Sequence, residues 1–209
     1  SPSKLWSAKK TDKGFEIDAS SLENSEYKTK KAFLGVRACE RKAIEIFSKT
    51  FAKSIEDHSF IIAINCTQSA STCFCHSMKS GPRVDSGYDL LLTEIVAEGL
   101  GDGSASYEHY FVMEIGSDKG EALVTSMSAN CPLQPATGNH KILVKTEVEK
   151  AISAQKQESL NAFSSEEARD LLARNLENKY WDEVATHCLS CANCTMSCPT
   201  CFCSNVEDV

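Results

Sequence analysis

Long apolar segments are absent from this chain of 209 residues. The longest apolar runs, such as Phe60 to Ile64 and Leu90 to Leu92, are far shorter than the about 18 to 20 residues that a membrane-spanning helix needs. No segment has the pattern of a secretory signal peptide. We therefore expect no membrane partner and a location in the reducing cytoplasm.

Basic residues are also scarce relative to acidic ones. Lys and Arg number 22 against 29 Asp and Glu, which gives a formal net charge of −7. A nucleic-acid partner requires a basic face that neutralises phosphates, so this charge balance argues against one. With 42% hydrophobic residues, the chain can bury one core, or one core and a small appended module.

Sequence motifs for substrate chemistry are missing as well. Gly99, Gly101 and Gly103 do not form the G-x-G-x-x-G fingerprint of a dinucleotide site, and they do not stand between a strand and the start of a helix. We find no nucleophile paired with a base, no His-Glu zinc motif and no phosphate-binding loop. We therefore expect no catalytic site in the chain itself, so that any enzymatic activity belongs to a complex.

Cysteine, in contrast, is abundant, with eleven in the chain. Four of them form the run Cys188-x2-Cys191-x2-Cys194-x3-Cys198, followed by Pro199. This is the spacing with which bacterial ferredoxins bind a 4Fe–4S cluster. Cysteines at two-residue intervals on one tight loop reach three irons of the cluster, while backbone N–H groups of the loop point at its sulfides. The run predicts an iron–sulfur centre that carries electrons.

The fourth thiolate of this centre is expected to come from a second run of the same type. In two-cluster ferredoxins the cysteine before the proline ligates the other cluster, so each run implies a partner run. The sequence contains one such run and ends six residues after Cys203. We therefore expect the sequence to be cut between the two halves of a dicluster module, with Cys201 and Cys203 as candidate substitute ligands.

Zinc binding and disulfide formation are the alternatives for this run. Zinc sites also use four cysteines, but usually as two Cys-x2-4-Cys pairs that are separated by a longer loop. A disulfide framework is disfavoured because the cysteine count is odd and six cysteines crowd between positions 188 and 203. A zinc-stabilised scaffold is the weaker alternative function.

A second group of cysteines follows two predicted strands. The apolar run from Ala32 to Val36 predicts a strand, a helical face begins after Glu40, and the run from Phe60 to Ile64 predicts another strand. This order predicts a βαβ unit with parallel strands. Cys39 and Cys66 then lie just beyond the carboxyl ends of the strands, at the sheet edge where ligands of α/β folds bind.

Cys73 and Cys75 follow in the loop STCFC. With Cys39 and Cys66 they supply four thiols that can meet at one site, so we predict an upstream cluster that is separate from the ferredoxin run. The alternative is that Cys39 and Cys66 are small buried apolar residues, as cysteines often are. Arg37 is expected either to donate hydrogen bonds to cluster sulfides or to pair with a carboxylate.

The chain divides into three predicted regions. Residues 1–27 are polar and form a loosely held lead-in, residues 28–160 form an α/β (α+β) domain, and residues 161–209 form a helix and the first half of the ferredoxin module. Within the domain, alternation from Tyr107 to Ile115 predicts a half-buried strand with His109, Phe111 and Ile115 on one face.

Two helices are predicted after that strand. The segment from Lys141 to Lys156 reads as a mixed-charge helix that links the domain to the ferredoxin module. Ser164 opens the second helix with a capping box, since Glu167 stands three residues later. We expect this second helix to be kinked near Asn178.

Four segments together resemble one protein family. They are GVRAC at 35–39, INCTQSASTCFCHSMKSGP at 64–82, GYDLLLTE at 87–94 and CLSCANCTMSCPTCFCSNVEDV at 188–209. The family is that of 4Fe–4S dicluster electron-transfer subunits. It includes the beta subunit of soluble sulfhydrogenases and the A subunit of anaerobic sulfite reductase.

The resemblance implies a function, a set of partners and a set of ligands. It implies that the chain relays electrons between a flavin- and NAD(P)-binding subunit and a catalytic subunit of hydrogenase or sulfite reductase type. It implies one upstream 4Fe–4S cluster, and two more in the complete dicluster module. The implied ligands are Cys39, Cys66, Cys73 and Cys75 upstream, and Cys188, Cys191, Cys194 and Cys198 in the ferredoxin run.

An iron–sulfur redox sensor is the alternative from another functional class. A sensor usually needs an output element, such as a basic helix that reads DNA, and the sequence contains none that is visible.

Overall fold

The structure is a computed structural model that describes residues 6–18, 30–51, 58–98, 107–156 and 163–198. These residues form a mixed α/β fold with a four-stranded sheet and a separate two-stranded one. The predicted α/β class is confirmed. None of the helices in this described part combines the length and the hydropathy that a membrane span requires.

A hairpin occupies the start of the described chain. Strands β1 (Ser7–Thr11) and β2 (Gly14–Asp18) pair antiparallel. The hydroxyl of Thr11 donates to the Gly14 carbonyl over 3.1 Å, and Gly14 has a φ of +125°, which glycine adopts readily because it lacks a Cβ. The sequence did not predict this hairpin. Phe15 and Ile17 alternate along β2, but β1 is largely polar and shows no matching apolar alternation, and both strands are almost entirely exposed.

The four-stranded sheet contains the predicted βαβ unit. Strand β3 (Lys31–Val36), helix α1 (Ala38–Phe51) and strand β4 (Ser59–Ile64) follow one another, and β3 pairs with β4 in parallel. Strand β5 (Leu90–Glu98) pairs with β4 in parallel, and strand β6 (Tyr107–Ile115) pairs with β5 antiparallel. The predicted unit and the predicted strand at 107–115 are confirmed, and the apolar run at 90–92 is the start of β5.

One face of this sheet carries the core. Buried residues alternate along the central strands β4 and β5, and Val112 of the edge strand β6 shares their face. Those of the central strands are Ile61, Ala63, Leu91 and Ile95. Helix α3 (Gly138–Lys156) contributes Val144 to the cluster that contains Ile95 and Val112. Helix α1 contributes Ala38 to a second cluster with Ala63 and Leu91.

The opposite face of the sheet is partly exposed. Phe111 is 49% exposed and Ile115 is 50% exposed, so the apolar face that the alternation predicted in β6 is not the face that packs on the core. Tyr110 and Val112 lie on the core face instead. Both faces of β6 carry apolar side chains, and the position of α3 rather than the strand pattern decides which one is covered.

The remaining helices are α2 (Asp118–Met127), α4 (Ser165–Arg174), α5 (Tyr180–Thr186) and α6 (Asn193–Ser197). The predicted capping box is present, because the Glu167 N–H donates to the Ser164 hydroxyl over 3.2 Å and the Ser164 N–H donates to the Glu167 carboxylate over 2.9 Å. The second predicted helix is interrupted between α4 and α5, near Asn178 as expected. The ferredoxin-like arrangement of these helices stays a prediction.

Candidate functional site

The carboxyl ends of β3 and β4 position the first two upstream cysteines. Cys39 lies in the first turn of α1, shortly after β3 ends, and Cys66 lies two residues after β4 ends at Ile64. Because the strands are parallel, both cysteines follow the same edge of the sheet. Gly35 has a φ of +80° and lies where the β3–β4 register shifts, between Leu34 and Val36. Such an irregularity changes the direction in which the following side chains point.

Cys39 is exposed and Cys66 is half-buried. The alternative interpretation of these two residues as small core residues therefore does not describe the structure, in which neither is fully buried. A cysteine can ligate a cluster only if its thiol is open to the space that the cluster would occupy. The partial exposure of Cys39 and Cys66 is compatible with that requirement.

The four upstream thiols lie near one another. Burial raises the pKa of the Cys66 thiol to about 11, and repulsion from Cys39, Cys75 and Cys73 acts in the same direction. Cys66 is thus within electrostatic range of the other three thiols. A shared site for Cys39 and Cys66 at the sheet edge with Cys73 and Cys75 of the following loop stays a prediction.

The loop between Cys66 and Pro82 packs tightly around this group. The Cys66 N–H donates to the Pro82 carbonyl over 3.3 Å, and the Ser80 N–H donates to the Cys75 carbonyl over 2.9 Å. A Cβ added at Gly81 would lie 2.9 Å from the Cβ of Ala38 and 3.1 Å from the Sγ of Cys75. The glycine therefore lets the loop approach both the start of α1 and a predicted ligand.

A glutamine of α3 contacts the same loop. Gln155 is 1% exposed. Its amide contacts the Sγ of Cys75, with Nε2 at 3.3 Å, and its Oε1 accepts from the backbone N–H of His76 over 3.0 Å. Burial raises the pKa of the Cys75 thiol, whereas the hydrogen bond from Gln155 lowers it. Gln155 was not predicted from the sequence, because a glutamine in a mixed-charge helix is typical of a solvent-facing position.

Arg37 pairs with a carboxylate, as one of its two interpretations predicted. Its guanidinium lies 2.8 Å from Glu40 Oε1, and its backbone N–H donates to Glu40 Oε2 over 2.8 Å. The hydrogen bond and charge of Glu40 raise the pKa of Arg37, and the nearby Cys39 contributes in the same direction. The Arg37 charge lowers the pKa of the Cys66 thiol. This contribution is smaller than those of burial and of Cys39 and Cys75, which raise that pKa.

The ferredoxin run lies between α5 and the end of α6. Cys188, Cys191 and Cys194 are exposed. Ser190 and Ala192 have φ angles of 52° and 56°, which are uncommon for residues other than glycine and concentrate at functional sites.

The turn through Ser190 aims a donor at a predicted ligand, since its N–H donates to the Sγ of Cys188 over 3.4 Å. Cys198 is the C-cap of α6, and its N–H donates to the Cys194 carbonyl over 3.1 Å. Cys201 and Cys203 lie outside the described residues.

The upstream residues fit an iron–sulfur cluster by the chemistry of their donors, because all four are thiols. Across the described ranges, no three Cys, His, Asp or Glu side chains gather closely enough to hold one metal ion. A 4Fe–4S cluster spaces its thiolates more widely than one zinc ion does, because each thiolate binds a different iron.

Comparisons with known proteins complete the description of the site. No family model matches the chain. The beta subunit of sulfhydrogenase 2 from Pyrococcus furiosus is 27% identical to the chain over 215 residues, which is 99% of the chain and 58% of the relative. The chain thus spans a little over half of that relative's length. The resemblance that the cysteine motifs indicated is confirmed, since the chain is similar over nearly its whole length to the beta subunit of a sulfhydrogenase.

Proposed function

We propose that the chain is an iron–sulfur electron-transfer protein of an oxidoreductase complex. The observation that carries this proposal is the placement of Cys39 and Cys66 beyond the carboxyl ends of two parallel strands, next to the loop that carries Cys73 and Cys75. The similarity to a protein named as a sulfhydrogenase beta subunit supports it independently.

At the upstream site the four thiolates hold a 4Fe–4S cluster, which supplies a one-electron carrier when it is bound. The chain contributes the environment that adjusts this carrier. The Arg37 guanidinium favours deprotonated ligands, and the burial of Cys66 limits access of water. Cys39 is exposed, so the site lies near the surface, where an electron can pass to a partner.

At the ferredoxin run, Cys188, Cys191 and Cys194 ligate a second cluster, and Cys198 ligates another cluster of a two-cluster arrangement. Two features of the loop support this role. Its left-handed residues Ser190 and Ala192 fold it tightly, and one of its N–H groups already points at a ligand sulfur.

The partners proposed here are those that the resemblance implies, and the relative's name supports the coarser statement that the chain works with other subunits. The chain relays electrons between a flavin- and NAD(P)-binding subunit and a catalytic subunit, with the hydrogenase type favoured because the relative is named as a subunit of a sulfhydrogenase. The chain carries no substrate site of its own in this proposal, so the reaction takes place on the partners.

Metal analysis of the anaerobically produced chain tests the proposal. We expect a brown protein that contains iron and acid-labile sulfide in equal amounts and whose visible absorbance bleaches with dithionite. Colourless protein with stoichiometric zinc would overturn the proposal and favour a zinc-stabilised scaffold.

A further inference from the structure

The buried amide of Gln155 stands against the loop that carries two of the predicted upstream ligands. We propose that Gln155 is the positioning residue of the upstream cluster, in which its side-chain N–H donates to the Cys75 sulfur, fixes that ligand and raises the reduction potential. The inference rests on the proposed function, because it requires that Cys75 ligates a cluster.

Gln155 is buried on the side of α3 that otherwise carries apolar residues. On α3 the residues that face the sheet recur at helical spacing, and they are Val144, Val148, Ala151 and Gln155. Three of them are apolar. Gln155 is 1% exposed, and burial of an amide costs free energy unless its donors and acceptor are all hydrogen-bonded. The Gln155 amide at this buried position therefore needs hydrogen-bond partners for its N–H donors and for its carbonyl oxygen.

Those partners fix the orientation of the amide. The backbone N–H of His76 can only donate, so the atom 3.0 Å from it must be the acceptor Oε1. The Ser69 hydroxyl donates to the Ala151 carbonyl over 3.1 Å, so its oxygen accepts from Nε2 over 2.9 Å. The opposite assignment of the amide would place two donors against each other at His76.

With the amide fixed, Nε2 also lies 3.3 Å from the Sγ of Cys75, within the range of a hydrogen bond to sulfur. A Cys75 thiol can also donate to Oε1, from which its Sγ is 3.5 Å away. A metal-bound thiolate has no hydrogen to donate, so the N–H to sulfur bond is the interaction that persists when Cys75 is a ligand.

The consequence for a bound cluster is electrostatic. A hydrogen bond to a ligand sulfur stabilises the extra negative charge of the reduced cluster and therefore raises its reduction potential. The same side chain ties Ser69 and His76 to α3, on either side of the Cys73–Cys75 pair. In this proposal Gln155 thus both holds Cys75 in position and raises the reduction potential of the cluster.

A redox titration monitored by electron paramagnetic resonance tests this inference on the anaerobically reconstituted chain. Gln155→Met keeps the side-chain length and removes the donor. We expect it to shift the upstream potential downward and to leave the signals of the ferredoxin run at their wild-type potential. Ser77→Ala is the matched control, because it removes the hydroxyl that donates to the Phe74 carbonyl within the same loop but leaves every partner of the Gln155 amide in place, and its potential should equal that of the wild type.

Two results of this titration would overturn the inference. One is an upstream potential in Gln155→Met that equals the wild-type value. The other is an equal downward shift in Ser77→Ala, which would assign the effect to loosening of the loop rather than to the hydrogen bond. Absence of any upstream cluster signal in the wild type would overturn the proposed function, and with it the inference.

A measurement on the wild type keeps the inference testable if Gln155→Met does not fold. Protein labelled with ¹⁵N in glutamine side chains is reduced, and the hyperfine coupling of ¹⁵N to the upstream cluster is recorded by pulsed electron paramagnetic resonance. A resolved coupling supports the N–H to sulfur hydrogen bond. Its absence in a cluster-loaded wild type would overturn it.

Discussion

The side-chain amide of Asn65, the residue directly before Cys66, donates a hydrogen bond to the hydroxyl of Thr93 over 2.9 Å. The Oδ1 of Asn65 accepts from the backbone N–H of Val84 over 2.9 Å. Asn65 and Thr93 are both buried. This side chain therefore joins the end of β4 to β5 and to the loop that encloses the upstream thiols.

We predict that Asn65→Ala destabilises the protein, because it leaves the Val84 N–H and the Thr93 hydroxyl buried without their present partner. Each unsatisfied group costs about 1 to 3 kcal/mol. Urea denaturation of the metal-free chain measures the change, with Asn130→Ala at an exposed position as the control. An equal free energy of unfolding for both variants would contradict the role assigned to Asn65.

Cys66 is expected to react slowly with iodoacetamide in the metal-free protein. Its thiol is half-buried and its pKa is about 11, whereas the exposed Cys131 has free access to the reagent. Since the thiolate is the reactive form, the alkylation rate of Cys66 should rise steadily as the pH approaches 11. Mass spectrometry of the modified peptides gives both rates, and equal rates at neutral pH would count against the described environment.

The same pKa predicts a pH dependence of stability. The folded-state pKa of Cys66 lies above its ordinary value of 9.0, so the unfolded chain loses this proton first as the pH rises. The contribution of Cys66 to stability is therefore complete below about pH 9 and falls between pH 9 and pH 11. Urea titrations of wild type and Cys66→Ala across this range should show a smaller loss in the variant.

Gly81→Ala should impair the upstream site. Gly81 has a φ of +155°, and a Cβ there would meet the Cβ of Ala38 and the Sγ of Cys75. We expect a lower melting temperature and less iron bound upstream. Gly138→Ala is the matched control, because a Cβ at that glycine meets nothing within 4 Å. Wild-type iron content in Gly81→Ala would show that the close approach is dispensable.

The ferredoxin run should behave independently of the upstream site. Cys191→Ala removes one of the ligands proposed for the second cluster, so we expect it to abolish the spectroscopic signals of that cluster while the upstream signals remain. Loss of both sets of signals in a folded variant would indicate that the two sites depend on each other for assembly.

Near the upstream site, the strands and the helix were predictable because the local pattern of apolar residues determines them. The apolar runs that became β3 and β4 are separated by a helical face, and the rule for parallel strands then places Cys39 and Cys66 at one edge. The capping box at Ser164 was predictable for the same reason, because it depends on only two residues that stand three positions apart.

Features that depend on tertiary contacts escaped prediction. Gln155 faces the cysteine loop only because α3 packs on the core face of the sheet, and nothing in the local sequence shows that packing. The covered face of β6 was undetermined for the same reason, since Phe111 and Val112 are both apolar. The hairpin of β1 and β2 was missed because its strands bury little surface.

Iron content of Cys66→Ala tests the central claim most directly. The variant and the wild type are reconstituted in parallel without oxygen, together with Cys131→Ala, which removes an exposed cysteine outside both proposed sites. We predict that Cys66→Ala loses about four iron atoms per chain and keeps the signals of the ferredoxin run, while Cys131→Ala matches the wild type. Wild-type iron content in folded Cys66→Ala would contradict an upstream cluster at these four cysteines.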